Sequence, residues 1–203
     1  MRCFDRVLQR WRAGKARPWI PDGARVLDIG CHQGEFLASL GDRIGPSVGL
    51  DPLAPFQETA HYRLVPGIFR APMPFADASF DAIVMLATLE HIVDKEPLAR
   101  DCWRLLRPGG RVIITVPSNF VDVIVHFLCK VRLADGMSLE EHHGYDPRTT
   151  PEVFGRFGFT LERWKRFQLG LNHLFVLQKP KPVEAEKAAE ETLPAPAGSL
   201  VCA

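Results

Sequence analysis

Through the middle of this chain short apolar runs alternate with helix-length stretches, and the first two runs close on Gly30 and on Asp51-Pro52. That alternation is the pattern of an α/β domain built on a mainly parallel sheet. The first run is Arg25-Val26-Leu27-Asp28-Ile29, and a helix is expected from about Gly34, with Phe36, Leu37 and Leu40 on one face and Gly41 as its stop. Val48-Gly49-Leu50 is a second strand candidate, Arg63-Leu64-Val65 a weaker third, and Phe80 to Met85 a fourth whose unbroken apolar end implies burial on both faces. A helix from near Asp94 tolerates Pro97 in its first turn and aligns Leu98, Cys102, Leu105 and Leu106, with Pro108-Gly109-Gly110 as its stop. Arg111 to Val116 is a β-branched fifth strand. Leu161 to Phe167 and His173 to Gln178 read as an antiparallel hairpin at a sheet edge.

Composition narrows the function classes. With 46% hydrophobic and 24% charged residues over 203 positions, and a formal net charge of +1, the chain is an ordinary globular protein without a global field for a polyanion. A nucleic-acid partner is therefore disfavoured. Cys3, Cys31, Cys102, Cys129 and Cys202 form an odd, scattered set without a C-x-x-C pair, which argues against a disulfide framework or a zinc knuckle and fits a reducing cytoplasm. No apolar run reaches the ~20 residues of a membrane span, and the opening residues lack the apolar segment of a signal peptide. The two ends differ from the middle. Residues 1–19 carry six basic side chains against one acid, with Phe4, Val7, Leu8 and Trp11 at helical spacing, and read as a basic amphipathic helix. Such a helix can pack on the domain with its charges solvated, or contact an anionic lipid or substrate. Residues 181–203, rich in Pro, Ala, Glu and Lys, read as a disordered tail.

The chemistry is expected at the carboxyl ends of the first two strands, where open α/β sheets bind ligands. Val26 to Phe36 is strand, glycine-bearing turn and helix. Gly30 and Gly34 let the backbone approach a bound molecule, and the N–H groups at the helix start favour an anionic group. Asp51, twenty-one positions after Gly30, can accept both hydroxyls of a ribose. The dinucleotide fingerprint is absent, because His32 and Glu35 occupy its second and third glycine positions, and no G-K-[ST] phosphate loop is present. These residues describe a site for a nucleoside-like ligand with a small anionic end.

The ordered segments VLDIGCHQGEF, VGLDP, MPFADASFDAIVMLATLEHI and LLRPGGRVIITVP resemble the motif set of class I S-adenosylmethionine-dependent methyltransferases, in particular the small-molecule, type 11-like group. The resemblance covers residues 20–180. It implies a Rossmann-like, seven-stranded, mainly parallel sheet with an antiparallel last strand, in a three-layer αβα sandwich, and S-adenosyl-L-methionine as cofactor. Carried over by position, Asp28, Gly30, His32 and Gly34 would surround the methionine end, Asp51 the ribose hydroxyls, Pro52 and Phe69 the adenine, and Leu86 the methionine portion. Two departures stand out. A small residue is usual where His32 stands, so the loop is shifted or the imidazole touches the cofactor carboxylate. The acid that often binds the adenine amino group is replaced by IFRAP.

A hydroxyl acceptor needs a base. Candidates lie in two places, Glu90 and His91 after the fourth strand and the segment EEHHGYD; His91 and His143 are the residues chosen, each with an alternative role as a structural residue of its turn or loop. Metal binding by EEHHGYD is disfavoured, because adjacent loop residues rarely complete a site alone. The insertion at about 119–146 carries Asp122, His126 and Lys130 at every fourth position, leaving a wide apolar face over 121–133. It reads as a helical lid, or as a docking surface for an apolar acceptor. The expected activity is cytoplasmic methyl transfer, on oxygen, to a small-molecule, glycan or lipid-linked acceptor, with peripheral contact at the inner membrane face as a hypothesis. A non-catalytic, methyltransferase-like binding or regulatory protein is the alternative. The acceptor and the oligomeric state are not specified by the sequence.

Overall fold

A computed structural model of the chain describes residues 3–118 and 145–182. The lid insertion, apart from Tyr145 and Asp146, and the tail from 183 onward lie outside the described residues. The chain opens with α1 (Cys3–Ala16) and a 3-10 turn (Arg17–Trp19), followed by β1 (Val26–Ile29), α2 (Glu35–Leu40) and β2 (Ser47–Asp51). Then come β3 (Gln57–Glu58), β4 (Tyr62–Pro66), β5 (Phe80–Leu86), α3 (Lys95–Leu105) and β6 (Leu106–Pro117). After 145 follow α4 (Thr150–Gly155), β7 (Thr160–Phe167) and β8 (Asn172–Gln178). The sheet order is β3-β4-β2-β1-β5-β6-β8-β7. Strands β4, β2, β1, β5 and β6 run parallel, while β8 is antiparallel to both β6 and β7.

Side chains alternate across each strand, so one apolar run supplies two cores. In β5, Ile83 and Met85 join Leu98, Cys102 and Leu105 of α3 and Phe154 of α4, whereas Ala82 and Val84 join Phe36, Leu37 and Leu40 of α2 and Ala16 of α1. This double burial explains the unbroken apolar sequence and produces the three layers. The edge strand β7 is exposed along nearly its whole length and carries Glu162, Arg163, Lys165 and Arg166, which blunt its unpaired side.

Three sequence expectations shift. The sheet has eight strands rather than seven, because the exposed pair Gln57–Glu58 adds an antiparallel edge to β4, too short to signal itself. Pro108-Gly109-Gly110 is not a spacer before a strand. Leu106 already pairs with Phe80, and the three residues bulge within β6 before Arg111 pairs with Ala82. A side chain at Gly110 would stand 2.9 Å from the Arg107 carbonyl oxygen and 3.0 Å from that of Asp81. Leu106 thus belongs to β6 and not to the helix. In α1, finally, the buried side holds Ala16 with half-buried Leu8, Arg12 and Ala13, while Val7 and Trp11 face outward at 53% and 45% exposure. Small alanines allow the closer approach to the sheet.

Candidate active site

The strand order reverses at β1: the chain passes from β1 outward through β2 and β4, then returns to β5 on the other side. The crevice lies at this switch point, outside the carboxyl ends of β1 and β5. Gly30, just beyond β1, has φ +81°, and a side chain there would overlap Thr88, coming within 2.8 Å of its Cβ. Gly34, with φ +82°, is the N-cap of α2, and a side chain there would meet Leu64 at 2.7 Å. Glycine is required at both by backbone and by space.

The loop between them is fastened to β2. Gly30 and Cys31 donate to the Leu50 carbonyl at 2.8 and 3.3 Å. The His32 N–H donates to Asp51 Oδ2 at 3.0 Å, and the Leu53 N–H to Asp51 Oδ1 at 2.7 Å. Asp51 therefore joins two loops while keeping lone pairs for further donors, since a carboxylate offers about four. His32 adopts the left-handed conformation at φ +51°, so the loop keeps a glycine-like path without glycine at that position. Its ring turns to Glu35, with Nδ1 2.9 Å from Oε1. Partial burial pushes the Glu35 carboxyl up, but the N–H groups of Glu35 and Gln33 and the His32 ring outweigh it and hold the pKa below its ordinary value. Glu35 is a site residue the sequence reading passed over; its i,i+3 spacing from His32 was the available signal.

Asp28 is buried within β1, and its Oδ2 has no hydrogen-bond partner among the described residues. Burial first, then the charges of Asp51 and Glu35, push its pKa up to about 8. A buried carboxyl left in this state calls for a cationic or donor group. The described residues thus fit S-adenosylmethionine on three counts: an orphaned acid that could take an ammonium, a strand-end carboxylate with lone pairs left for hydroxyls, and a backbone cradle that a side chain would fill.

Of the remaining expected residues, Pro52, Phe69, Leu86 and His91 all follow or close the carboxyl ends of parallel strands. Pro52 is exposed beside Asp51, Phe69 is half-buried after β4, and Leu86 closes β5. The next residue, Ala87, turns the chain at φ +58° and donates to the Thr115 carbonyl at 2.8 Å. His91 ends the 3-10 turn Leu89–His91, in which Glu90 is buried. His143 lies outside the described residues. Tyr145, nearby in sequence, bonds Thr150 Oγ1 at 2.7 Å, and Lys95 Nζ stands 4.4 Å above its ring. The chain following the insertion is thereby brought against the start of α3, close to the LEH turn. His173 is buried in β8, opposite Val116 of β6 and Arg166 of β7. Its Nδ1 accepts the Trp164 indole N–H at 3.0 Å, and burial, with Arg166 and Arg148 nearby, depresses its pKa. No group of three or more His, Cys, Asp or Glu among the described residues is arranged to hold a metal.

Residues 27–114 match the family model described as a methyltransferase domain. The mitochondrial ubiquinone biosynthesis O-methyltransferase of Bos taurus is 31% identical over 46% of this chain and 28% of its own length. This chain thus spans about a quarter of that relative. The demethylmenaquinone methyltransferase of Mycobacterium marinum is 26% identical over 85% of this chain and 83% of its own length. Among solved structures, an S-adenosylmethionine-dependent methyltransferase from Aquifex aeolicus superposes with a TM-score of 0.61 at 15% identity, over 83% of this chain and 89% of that one. The structural likeness is one of fold.

Proposed function

Since residues 27–114 match a methyltransferase domain, we propose that this protein is a class I S-adenosylmethionine-dependent methyltransferase that transfers a methyl group to an oxygen of a small-molecule, sugar or lipid-linked acceptor. The observation that carries the reading is Asp51, held by the N–H groups of His32 and Leu53 so that the end of β2 and the glycine loop face one ligand. When bound, S-adenosylmethionine supplies a methyl group activated on a sulfonium centre. Asp51 would hold the ribose hydroxyls, with Pro52 and Phe69 beside the adenine. Asp28 and the loop from Gly30 through His32 to Gly34 would hold the methionine end, with Leu86 lining it. His91 and His143 are the proposed groups for accepting the acceptor's proton, and positioning with exclusion of water supplies most of the remaining acceleration.

Two relatives bear quinone names, which supports a lipid-soluble quinone precursor as one member of the proposed acceptor class, and the O-methyltransferase name of the bovine relative supports a hydroxyl as the acceptor group. On this reading the protein works in the cytoplasm, at the inner membrane face; no helix among the described residues is long and apolar enough to cross the membrane. The non-catalytic alternative rests on His32 and on the missing adenine acid; against the first, His32 keeps the loop's left-handed turn and its N–H donates to Asp51.

Calorimetric titration with S-adenosylmethionine tests the reading. Wild-type protein is expected to bind, and Asp51→Ala to weaken binding by about a hundredfold or more, because charge-assisted hydrogen bonds contribute about 1.5–3 kcal/mol each. Gly34→Val should abolish binding. A folded wild-type protein that produces no heat with the cofactor would overturn the proposal.

A further inference from the structure

Nine large apolar side chains stand exposed among the described residues, and most of them share one end of the molecule. Leu53 and Phe56 follow β2, Ile68 follows β4, and Val93 follows β5, all at the carboxyl ends of parallel strands. Leu169 tips the β7–β8 hairpin, which reaches the same end because Asn172 pairs with Pro117 at the close of β6. A bound cofactor would cover part of Leu53 and Ile68 beside Asp51. Phe56, Val93 and Leu169 lie outside that reach, at 82%, 70% and 99% exposure.

The hairpin tip is held in place rather than loose. Gln168, Leu169 and Gly170 all have positive φ, and buried Gln168 donates to the Leu8 carbonyl at 3.2 Å and accepts from Asn172. The same tip anchors α1, whose Arg12 donates to Asn172 Oδ1 at 3.4 Å. The outward face of α1 shows Arg6, Val7, Arg10 and Trp11 together. Lys165 and Arg166 are exposed next to the hairpin, and Arg70 follows Ile68. On the acidic side, Asp94 is exposed on this rim, as is Glu58 two residues after Phe56; Glu35 and Asp51 are half-buried in the crevice, Glu96 is paired with Arg156 at 2.8 Å, and Asp146 is half-buried and caps the turn after it. Apolar tips flanked by an excess of arginine and lysine are the composition of an interfacial membrane surface.

We propose that this rim docks on an anionic phospholipid bilayer. Leu169, Phe56, Val93 and Trp11 enter the boundary between headgroups and acyl chains, and Arg6, Arg10, Lys165 and Arg166 meet lipid phosphates. The crevice between β1 and β5 then opens toward the lipid, so an acceptor need not leave the bilayer to reach it. This deepens the methyltransferase reading and rests on it for the purpose of docking, but the docking itself is measured separately.

Flotation of the full chain with vesicles of phosphatidylcholine alone, and of phosphatidylcholine with phosphatidylglycerol, is the test. Association with the anionic vesicles at low salt, weak on neutral ones, is expected. Leu169→Glu and Phe56→Glu should each weaken it by about tenfold, since each removes a buried apolar side chain. Leu161→Glu, an exposed apolar site at the opposite end of β7, should leave it unchanged, and all three variants should keep the wild-type melting temperature and cofactor titration. Absence of association by a protein that still binds cofactor would overturn the docking alone. So would equal weakening by Leu161→Glu, or a stable dimer in solution that Leu169→Glu dissociates, which would make the rim an interface between copies.

Discussion

Gly30 and Asp28 make opposite demands on the first loop, one of space and one of charge. An alanine at Gly30 would combine left-handed strain of about 1–2 kcal/mol with overpacking of about 1–3 kcal/mol against Thr88. Gly30→Ala is expected to lower the melting temperature by about 5–10 °C. Adding Thr88→Gly should recover only the overlap part; complete recovery would show that the backbone conformation carries no cost. Asp28 titrates abnormally, from an ordinary 3.8 to about 8. Between those values the folded protein keeps a proton that the unfolded chain has released, so stability falls as pH rises across that window and levels off above it. A cationic group bound beside Asp28 would reverse the shift and expel the proton. At pH 7, the heat of S-adenosylmethionine binding should therefore differ between phosphate and Tris buffers, and Asp28→Asn should abolish the difference. Equal heats for the wild-type protein would remove Asp28 from the cofactor's cationic end.

Between elements, the strongest polar tie among the described residues joins α3 to the segment leading into β5. Buried Asp101 accepts the Met73 N–H at 2.7 Å and pairs with Arg104 at 2.7 Å; Arg104 in turn reaches the Met73 and Phe75 carbonyls at 2.9 and 2.7 Å and Asp77 at 2.8 Å. In the sequence the i,i+3 spacing of Asp101 and Arg104 carries no sign of a distant backbone partner. Removing the acid leaves the Met73 N–H without its partner and takes from Arg104 one of its two carboxylates. Asp101→Ala should cost about 3 kcal/mol, read as a lower urea midpoint at unchanged slope, and Asp101→Asn less. A neutral Asp101→Ala would mean that water replaces the carboxylate at this junction. The bulge in β6 was hidden for a related cause. Pro108-Gly109-Gly110 signals a break in helix, but whether the break lies between elements or inside a strand depends on β5, to which Leu106 pairs.

Taken as a whole, the proposed site lies where the two cores meet at the sheet's open end, so occupancy there should stabilise the entire fold. At a cofactor concentration a hundred times the dissociation constant, linkage adds about 2.7 kcal/mol, a rise of about 5–10 °C in melting temperature for a domain of this size. Thermal scans with and without S-adenosylmethionine check this, and Asp51→Ala should lose most of the rise; a rise unaffected by that variant would place the ligand elsewhere. The parallel strands and the helices α2 and α3, the glycine turn and Asp51 were legible from residue order, because apolar periodicity, positive-φ glycines and an acid at a strand end are local signals that survive any packing. What faces what was not local. Val7 and Trp11 share a stripe with Leu8, yet the sheet accepts Ala13 and Ala16 and turns the two larger side chains outward. Lys95 became a partner of Tyr145, and Leu169 the apex of an exposed rim, only through chain reversals that join segments distant in sequence. Periodicity reports which faces are apolar; which of them is covered depends on the shape of the surface that arrives to cover it.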